Sequence, residues 1–507
     1  MQPKSLTFFN NIILEIKYLQ KPSFLLKNFL NHTADDKVPL NQLVKNVKIF
    51  PFLLVKSVFW RHNLIMERKL MLELRSWQQD PRRKPLILMG VRQTGKTFLL
   101  EQFGNANFKH YHLINFEEQV LARNLFEEDL DPQKIINKLR LFLNKDIDIE
   151  KDLVIFDEIQ ACPKALTSLK YFYEKMPQLA LCSAGSLLGL HLSEGSYPVG
   201  KVDIKKLYPL SFDEFLLGIG ETKLYHYLET LKLEDSISLA LHAKLWEQLK
   251  YYFICGGLPE VITQFALEKE NLFKAFATVR IKQEELIKGY YADIAKHAGK
   301  INSMHISRTW LSVPKQLAEN IETDSPRFKF KGIVPNLNRY SQLVNVIDWL
   351  QAAELIIKIP IVHNAEQPLH AFTQDNMFKL LVFDVGILGA LSGLSPQTIL
   401  SYDYGTYKGY FAENYLAQQL LSMGHHKIYC WQFERSEIEF LIELNGHILP
   451  LEVKSGYVTK AKSLDKFIKK YHSQHNIIFS ANPLFLDEKK KVAHVPLYLA
   501  NQFKILI

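Results

Sequence analysis

Apolar positions along this chain change their spacing three times, and each change predicts a boundary. The first 64 residues mix apolar side chains and lysines without a sustained period of two or 3.6, so they predict no regular element. From Met66 the pattern becomes legible. "MERKLMLELRSWQQ" predicts a helix with Leu70, Leu72, Leu74 and Trp77 among its apolar positions, followed by a Pro-Arg-rich turn. Strands are then expected at "LILMG" (86–90), "HYHLINF" (110–116), "LVIFDE" (153–158), "LALCSAG" (179–185) and "KKLYPLSF" (205–212). Helical stretches such as "PKALTSLKYFYEKM" lie between them. Near-continuous apolar strands alternating with helices predict an α/β fold with a parallel sheet covered on both faces. Residues 218–400 read as mostly helical, and 401–507 mix helix and strand again. The expected organisation is therefore an extension (1–65), an α/β domain (66–217), a helical domain (218–400) and a C-terminal α/β domain (401–507).

Charge changes this picture little. The net charge is +9, yet Met1 to Leu64 holds nine Lys/Arg against three Asp/Glu, two-thirds of the excess. A basic chain suggests phosphate partners, but here the excess lies mainly outside the recognisable domains. The extension admits two readings: Met66 is the native start, or a poorly ordered basic arm precedes the folded part. A native N-terminus upstream of Met66 would rule out the first. No apolar run approaches the roughly 18 residues a membrane span needs, and the start lacks the pattern of an export signal. Four widely spaced cysteines, Cys162, Cys182, Cys255 and Cys430, suit a reducing compartment, so a cytoplasmic protein is expected.

The chemistry begins at "GVRQTGKT", Gly90, Val91, Arg92, Gln93, Thr94, Gly95, Lys96 and Thr97, which fits G-x-x-x-x-G-K-[ST]. It leaves an apolar strand and opens a helix, so its N–H groups and the helix dipole are expected to cradle a nucleotide β-phosphate. Lys96 would reach the β/γ-phosphates, and Thr97 would ligate Mg²⁺. "LVIFDEIQ" then places Asp157 and Glu158 at the C-terminal end of a strand, where open α/β sheets bind ligands. Asp157 is the expected metal partner and Glu158 the residue that activates water. Ser186, ending the next strand, suits contact with the γ-phosphate or a helix N-cap. ATP and Mg²⁺ are the expected ligands.

"GVRQTGKT", "FDEIQACPKALTSLKYF", "AGSLLG", "PVGKVDIKKLYPLSFDEFL" and "GGLPE", in that order, resemble a widespread prokaryotic family. Its members are AAA+-type ATPases, related to archaeal ATPases, with a C-terminal restriction-endonuclease-like domain. The resemblance implies a sheet in which one strand is inserted between the P-loop strand and the Asp-Glu strand. Many members have Arg where this chain has Lys201, and a lysine there offers a point charge without the bidentate fork. The sequence names no arginine finger and leaves the oligomeric state open.

"HISRTWLSVPKQLAEN", "NLNRYSQLVNVIDWLQAAELI", "KIPIV" and "FKLLVFDVGIL" read as two helices and two strands, an order that suits a winged helix and a DNA contact. Few basic residues besides Arg339 support that contact, and a rigid connector is the alternative. "GGLPE" (Gly256 to Glu260) reads as a turn with Pro259 opening a helix. Farther on, "FAENYLAQQLL" places Glu413 on a helix, and "SEIEFLIELNGHILPLEVKSG" predicts a hairpin turning at Asn445-Gly446. Glu437 and Glu439 share one strand face, as do Glu452 and Lys454. The set resembles the PD-(D/E)xK nuclease core, with Glu413 and Glu439 as its upstream acids. It also departs from that core, with Glu439 where Asp is usual and no Gln-x-x-x-Tyr element following Lys454. The functional expectation is an ATPase, with an ATP-gated switch of negligible hydrolysis or an ATP-regulated DNA nuclease as alternatives.

Overall fold

The structure, a computed structural model, describes residues 66–185, 198, 200–232, 235–319, 327–402, 405, 407–457 and 460–502. The extension before Met66 and the site residue Ser186 lie outside them. Five strands form the first sheet: β1 (Leu86–Met89), β2 (Tyr111–Asn115), β3 (Leu153–Asp157), β4 (Ala180–Gly185) and β5 (Asp203–Lys206). Every pairing is parallel, in the order β2-β3-β4-β1-β5. Strand β4 therefore sits between the P-loop strand and the Asp-Glu strand, the insertion that the resemblance implies.

Helices cover both faces, as the continuous apolar strands require. Around the sheet run α1 (Leu70–Gln79), α2 (Lys96–Asn107), α3 (Pro132–Leu143) and α4 (Pro163–Lys175). On one face Ile87, Val154 and Phe156 pack with Ile135, Leu139, Leu169 and Phe172. On the other, Leu86, Leu88 and Ile155 meet Leu74, Trp77, Leu99 and Phe103. The fifth strand lies at 203–206, earlier than its sequence pattern suggests. The chain leaves the sheet at Pro209, which has no N–H to offer a ladder, and Ser211 then caps α5 (Phe212–Gly218) in a capping box with Glu214.

The helical region contains α6 (Thr222–Thr230), α7 (Leu239–Cys255), α8 (Pro259–Glu268), α9 (Leu272–Ala298), α10 (Lys300–Glu319) and α11 (Tyr340–Ala352). Leu343, Val346, Ile347 and Leu350 form the buried stripe of α11. Its exposed positions are Ser341, Gln342, Asn345, Asp348 and Gln351, with no lysine or arginine among them.

Strands β6 (Ile356–Val362) and β7 (Thr373–Val382) follow as an antiparallel pair. They do not form a separate wing. Strand β6 also pairs in parallel with β8 (Ile428–Phe433), which joins the pair to the C-terminal strands. These are β9 (Ser436–Leu444), β10 (His447–Val453), β11 (Asn476–Ser480), β12 (Phe485–Asp487) and β13 (Val492–Pro496). The result is one eight-stranded mixed sheet, ordered β12-β13-β11-β10-β9-β8-β6-β7, which crosses the expected boundary at 400/401. The apolar run "FKLLVFDVGIL" is split between two elements. Asp384 accepts from the Ile387 N–H and caps α12 (Val385–Leu391), so the second half is helix rather than strand. Next come α13 (Pro396–Ser401) and α14 (Tyr407–Ser422), and α15 (Lys462–Tyr471) lies between β10 and β11. The β9–β10 turn has positive φ at both Asn445 (51°) and Gly446 (80°), the backbone that an Asn-Gly hairpin adopts.

Candidate functional site

The loop from β1 into α2 is shaped by backbone that few side chains tolerate. A Cβ on Gly90 would lie 2.3 Å from the Leu207 carbonyl oxygen, so only glycine fits. Gln93 (φ 71°) and Gly95 (φ 88°) adopt left-handed conformations, which curl the chain before α2 begins. Thr94 is wholly buried; its hydroxyl donates to the Val91 carbonyl at 2.9 Å. Arg68 braces the loop from outside, donating to the Thr94 carbonyl at 3.1 Å and pairing with Glu214 at 3.2 Å.

Lys96 is buried inside this curl, and its Nζ donates to the carbonyls of Gly90 (2.8 Å) and Val91 (3.0 Å). Burial lowers its pKa, while the carboxylates of Glu158, Glu354 and Asp157 oppose the shift and Arg92 adds to it. Asp157, at the end of β3, accepts from the Thr97 hydroxyl on both oxygens, at 3.1 and 3.0 Å. Burial and the neighbouring charge of Glu158 push the Asp157 carboxyl up to about 6. Asn115 Nδ2, one strand over, donates to the same carboxylate at 3.1 Å. The sequence reading missed Asn115; its signal was a polar residue ending an apolar strand in register with Asp157. Glu158 follows with φ 49°, and its carboxylate accepts from Gln160 Nε2.

The donor set suits a magnesium-bound nucleoside triphosphate. An ammonium held by loop carbonyls, with a hydroxyl and a carboxylate in hydrogen-bond contact close by, offers hard oxygen ligands and phosphate-directed charge. Lys201 is placed elsewhere: it pairs with Glu174 of α4 at 3.2 Å.

The second set of sequence candidates also converges. Glu413 on α14, Glu437 and Glu439 on β9, and Glu452 and Lys454 at the end of β10 form one cluster with Lys379, which the sequence did not single out. Lys379 of β7 lies between Glu413 (2.6 Å) and Glu437 (2.7 Å), and Lys454 lies between Glu452 (2.5 Å) and Glu439 (3.8 Å). The Val453 N–H donates to Glu439 at 3.0 Å. Burial raises the pKa of Glu413, Glu439 and Glu452. Burial opposes charge on both lysines, but the surrounding glutamates outweigh it and raise their pKa values too. Lys379 had a faint signal, as the one charge within the apolar run "FKLLVF". Among the described residues, no three His, Cys, Asp or Glu side chains are placed to hold a metal ion.

Residues 82–216 match the family model described as "AAA domain". Residues 246–398 and 408–498 match two models, each described as a "Domain of unknown function" (DUF8612 and DUF4143). No curated protein matches the chain. Solved structures that it resembles include C. elegans PCH-2, at 13% identity, covering 43% of this chain and 68% of that one with a TM-score of 0.26. AMPPCP-bound DnaA from Aquifex aeolicus gives 16% identity, 56% and 87% coverage, and a TM-score of 0.26. Drosophila ORC bound to DNA gives 13% identity, 64% and 94% coverage, and a TM-score of 0.25. The match to the AAA model, the parallel sheet and its strand order support a P-loop α/β domain over residues 82–216, and the eight-stranded mixed sheet is separate from that five-stranded one.

Proposed function

We propose that the AAA domain binds ATP with magnesium and hydrolyses it, and that the chain couples nucleotide state to its helical region and eight-stranded sheet. The observation that carries this reading is the meeting of Lys96, Thr97, Asp157 and Glu158 at the C-terminal edge of one parallel sheet. The loop amides and Lys96 bind and orient the phosphates. Magnesium, held by Thr97 and Asp157, would supply Lewis-acid charge to the phosphate oxygens. Glu158 orients a water and takes its proton as the oxygen adds to the γ-phosphorus. The bond to the β,γ-bridging oxygen breaks, and ADP and inorganic phosphate leave.

Glu158→Gln tests the mechanism against a switch with negligible turnover. The variant is expected to bind ATP as the parent does and to hydrolyse it roughly 10²–10⁴-fold more slowly. Unchanged turnover would remove the catalytic role. The assay is run with and without DNA, because stimulation by DNA would identify it as a partner.

An ATP-regulated nuclease is a second reading, favoured by the convergence of Glu413, Glu439, Glu452 and Lys454. Against it, each lysine is already engaged by two glutamates, which suits a buried brace better than an open metal site. If the cluster cuts DNA, Mg²⁺- or Mn²⁺-dependent cleavage should be seen and should vanish in Lys454→Ala. Intact DNA and RNA with either metal, with and without ATP, leave the scaffold reading in place.

A further inference from the structure

Helix α9 reaches back to the phosphate loop at adjacent turns. Asp293 pairs with the Arg92 guanidinium, and the Tyr290 hydroxyl donates to the Arg92 carbonyl at 3.0 Å. One turn on, Lys296 pairs with Glu117, just past β2, at 3.0 Å. The two partners on the helix are shielded, Tyr290 being 3% exposed and the Asp293 side chain 14%, whereas the Arg92 side chain is 42% exposed. Arg92 belongs to the loop itself, two residues after Gly90 and next to the left-handed Gln93. Its charge already reaches Lys96.

An arginine carried by the phosphate loop can answer to two partners of the same kind. One is the carboxylate of Asp293. The other is the terminal phosphate that Lys96 is built to receive, which carries more charge and accepts the guanidinium fork in the same bidentate way. We propose that Arg92 is a γ-phosphate-sensing arginine supplied by the loop itself, paired with Asp293 in the absence of ATP and turned to the terminal phosphate in its presence, so that ATP unlatches α9. This rests on the nucleotide reading above.

The contacts beyond α9 show where the release is felt. Tyr290 meets Trp310 of α10 edge-on at 6.0 Å, and the Trp310 indole N–H donates to the Leu355 carbonyl at 3.2 Å, at the head of β6. Glu354, next in line, pairs with Lys206 at the end of β5 at 3.0 Å. One latch thus connects the phosphate loop to the first strand of the eight-stranded sheet.

The test compares full-length parent, Arg92→Ala, Arg92→Lys and Asp293→Asn in Mg²⁺ with ADP and with the non-hydrolysable β,γ-methylene analogue of ATP. Affinities are measured by calorimetry and α9 by amide hydrogen exchange. In the parent, the analogue should speed exchange in α9 relative to ADP. Arg92→Ala should lower the triphosphate-to-diphosphate affinity ratio roughly tenfold, the size of one charged hydrogen-bond pair, and Arg92→Lys should fall between. Asp293→Asn should raise that ratio and give fast exchange in α9 with ADP alone. An unchanged ratio in Arg92→Ala, or identical α9 exchange with both nucleotides in the parent, overturns the proposal while leaving the ATPase reading intact. A parent protein that binds neither nucleotide overturns both.

Discussion

Asp157 holds its proton more tightly than an exposed aspartate does, with its pKa pushed up to about 6 by burial and by Glu158. A metal ion binds only the ionised carboxylate. At pH 6, magnesium-nucleotide binding should therefore expel a proton from Asp157, and near pH 8, where the group is already ionised, that proton should be missing. Calorimetry in two buffers of different ionisation enthalpy measures the release. If Asp157→Asn releases as many protons at pH 6 as the parent, the assignment of Asp157 is wrong. The residue scale also shows why part of the site could be read in advance. Gly90, Gly95, Lys96 and Thr97 occur at a fixed spacing because one loop makes the whole cradle. Asn115 and Lys379 come from other strands, and their partners are set by register, which no local spacing encodes.

Asp384 does at the scale of elements what a single cap does for one helix. It caps α12, accepts from the Gly257 N–H at 2.7 Å in the "GGLPE" turn, and accepts from Gln418 of α14 at 3.2 Å. A Cβ on Gly256 would lie 2.1 Å from its carboxylate, so the turn approaches as closely as it does because that residue is glycine. The same turn sets Pro259 Cγ 3.4 Å from where a Cβ on Gly95 would lie, so it abuts the phosphate loop as well. Burial pushes the Asp384 carboxyl up from 3.8 to about 6. The folded state then keeps a proton that the unfolded chain releases between about pH 4 and 6. Stability contributed by that proton is full below pH 4 and is lost as pH rises through 6, a swing on the order of 3 kcal/mol. Asp384→Asn cannot ionise, so urea unfolding from pH 4 to 7 should show a flatter decline than the parent, although the amide is a poorer acceptor for two N–H groups. An unchanged slope would place the titration elsewhere. Elements themselves were legible where burial is two-sided: β1, β3 and β4 announce themselves as apolar runs between helices. The run "FKLLVFDVGIL" was misread past Val382 because a buried helix and a buried strand look alike over so few residues.

At the scale of the whole molecule, strand order decides what the periodicity leaves open. The hairpin of β6 and β7 reads locally as the wing of a small helical domain, yet its hydrogen bonds to β8 bridge more than 60 residues of sequence. Pairing over that distance leaves no trace in local pattern, so the expected boundary at 400/401 ran through the middle of a sheet. That has a practical side. A recombinant piece starting at residue 401 would expose the β8 edge "IYCWQF" and strip Glu413 and Glu437 of Lys379. Bare apolar edges recruit other chains, and buried acids without a counter-charge are costly. Such a piece should emerge from expression as aggregate by light scattering, whereas one opening ahead of Ile356 should stay dispersed. Wherever this protein is to be divided for study, the scissors belong upstream of the hairpin.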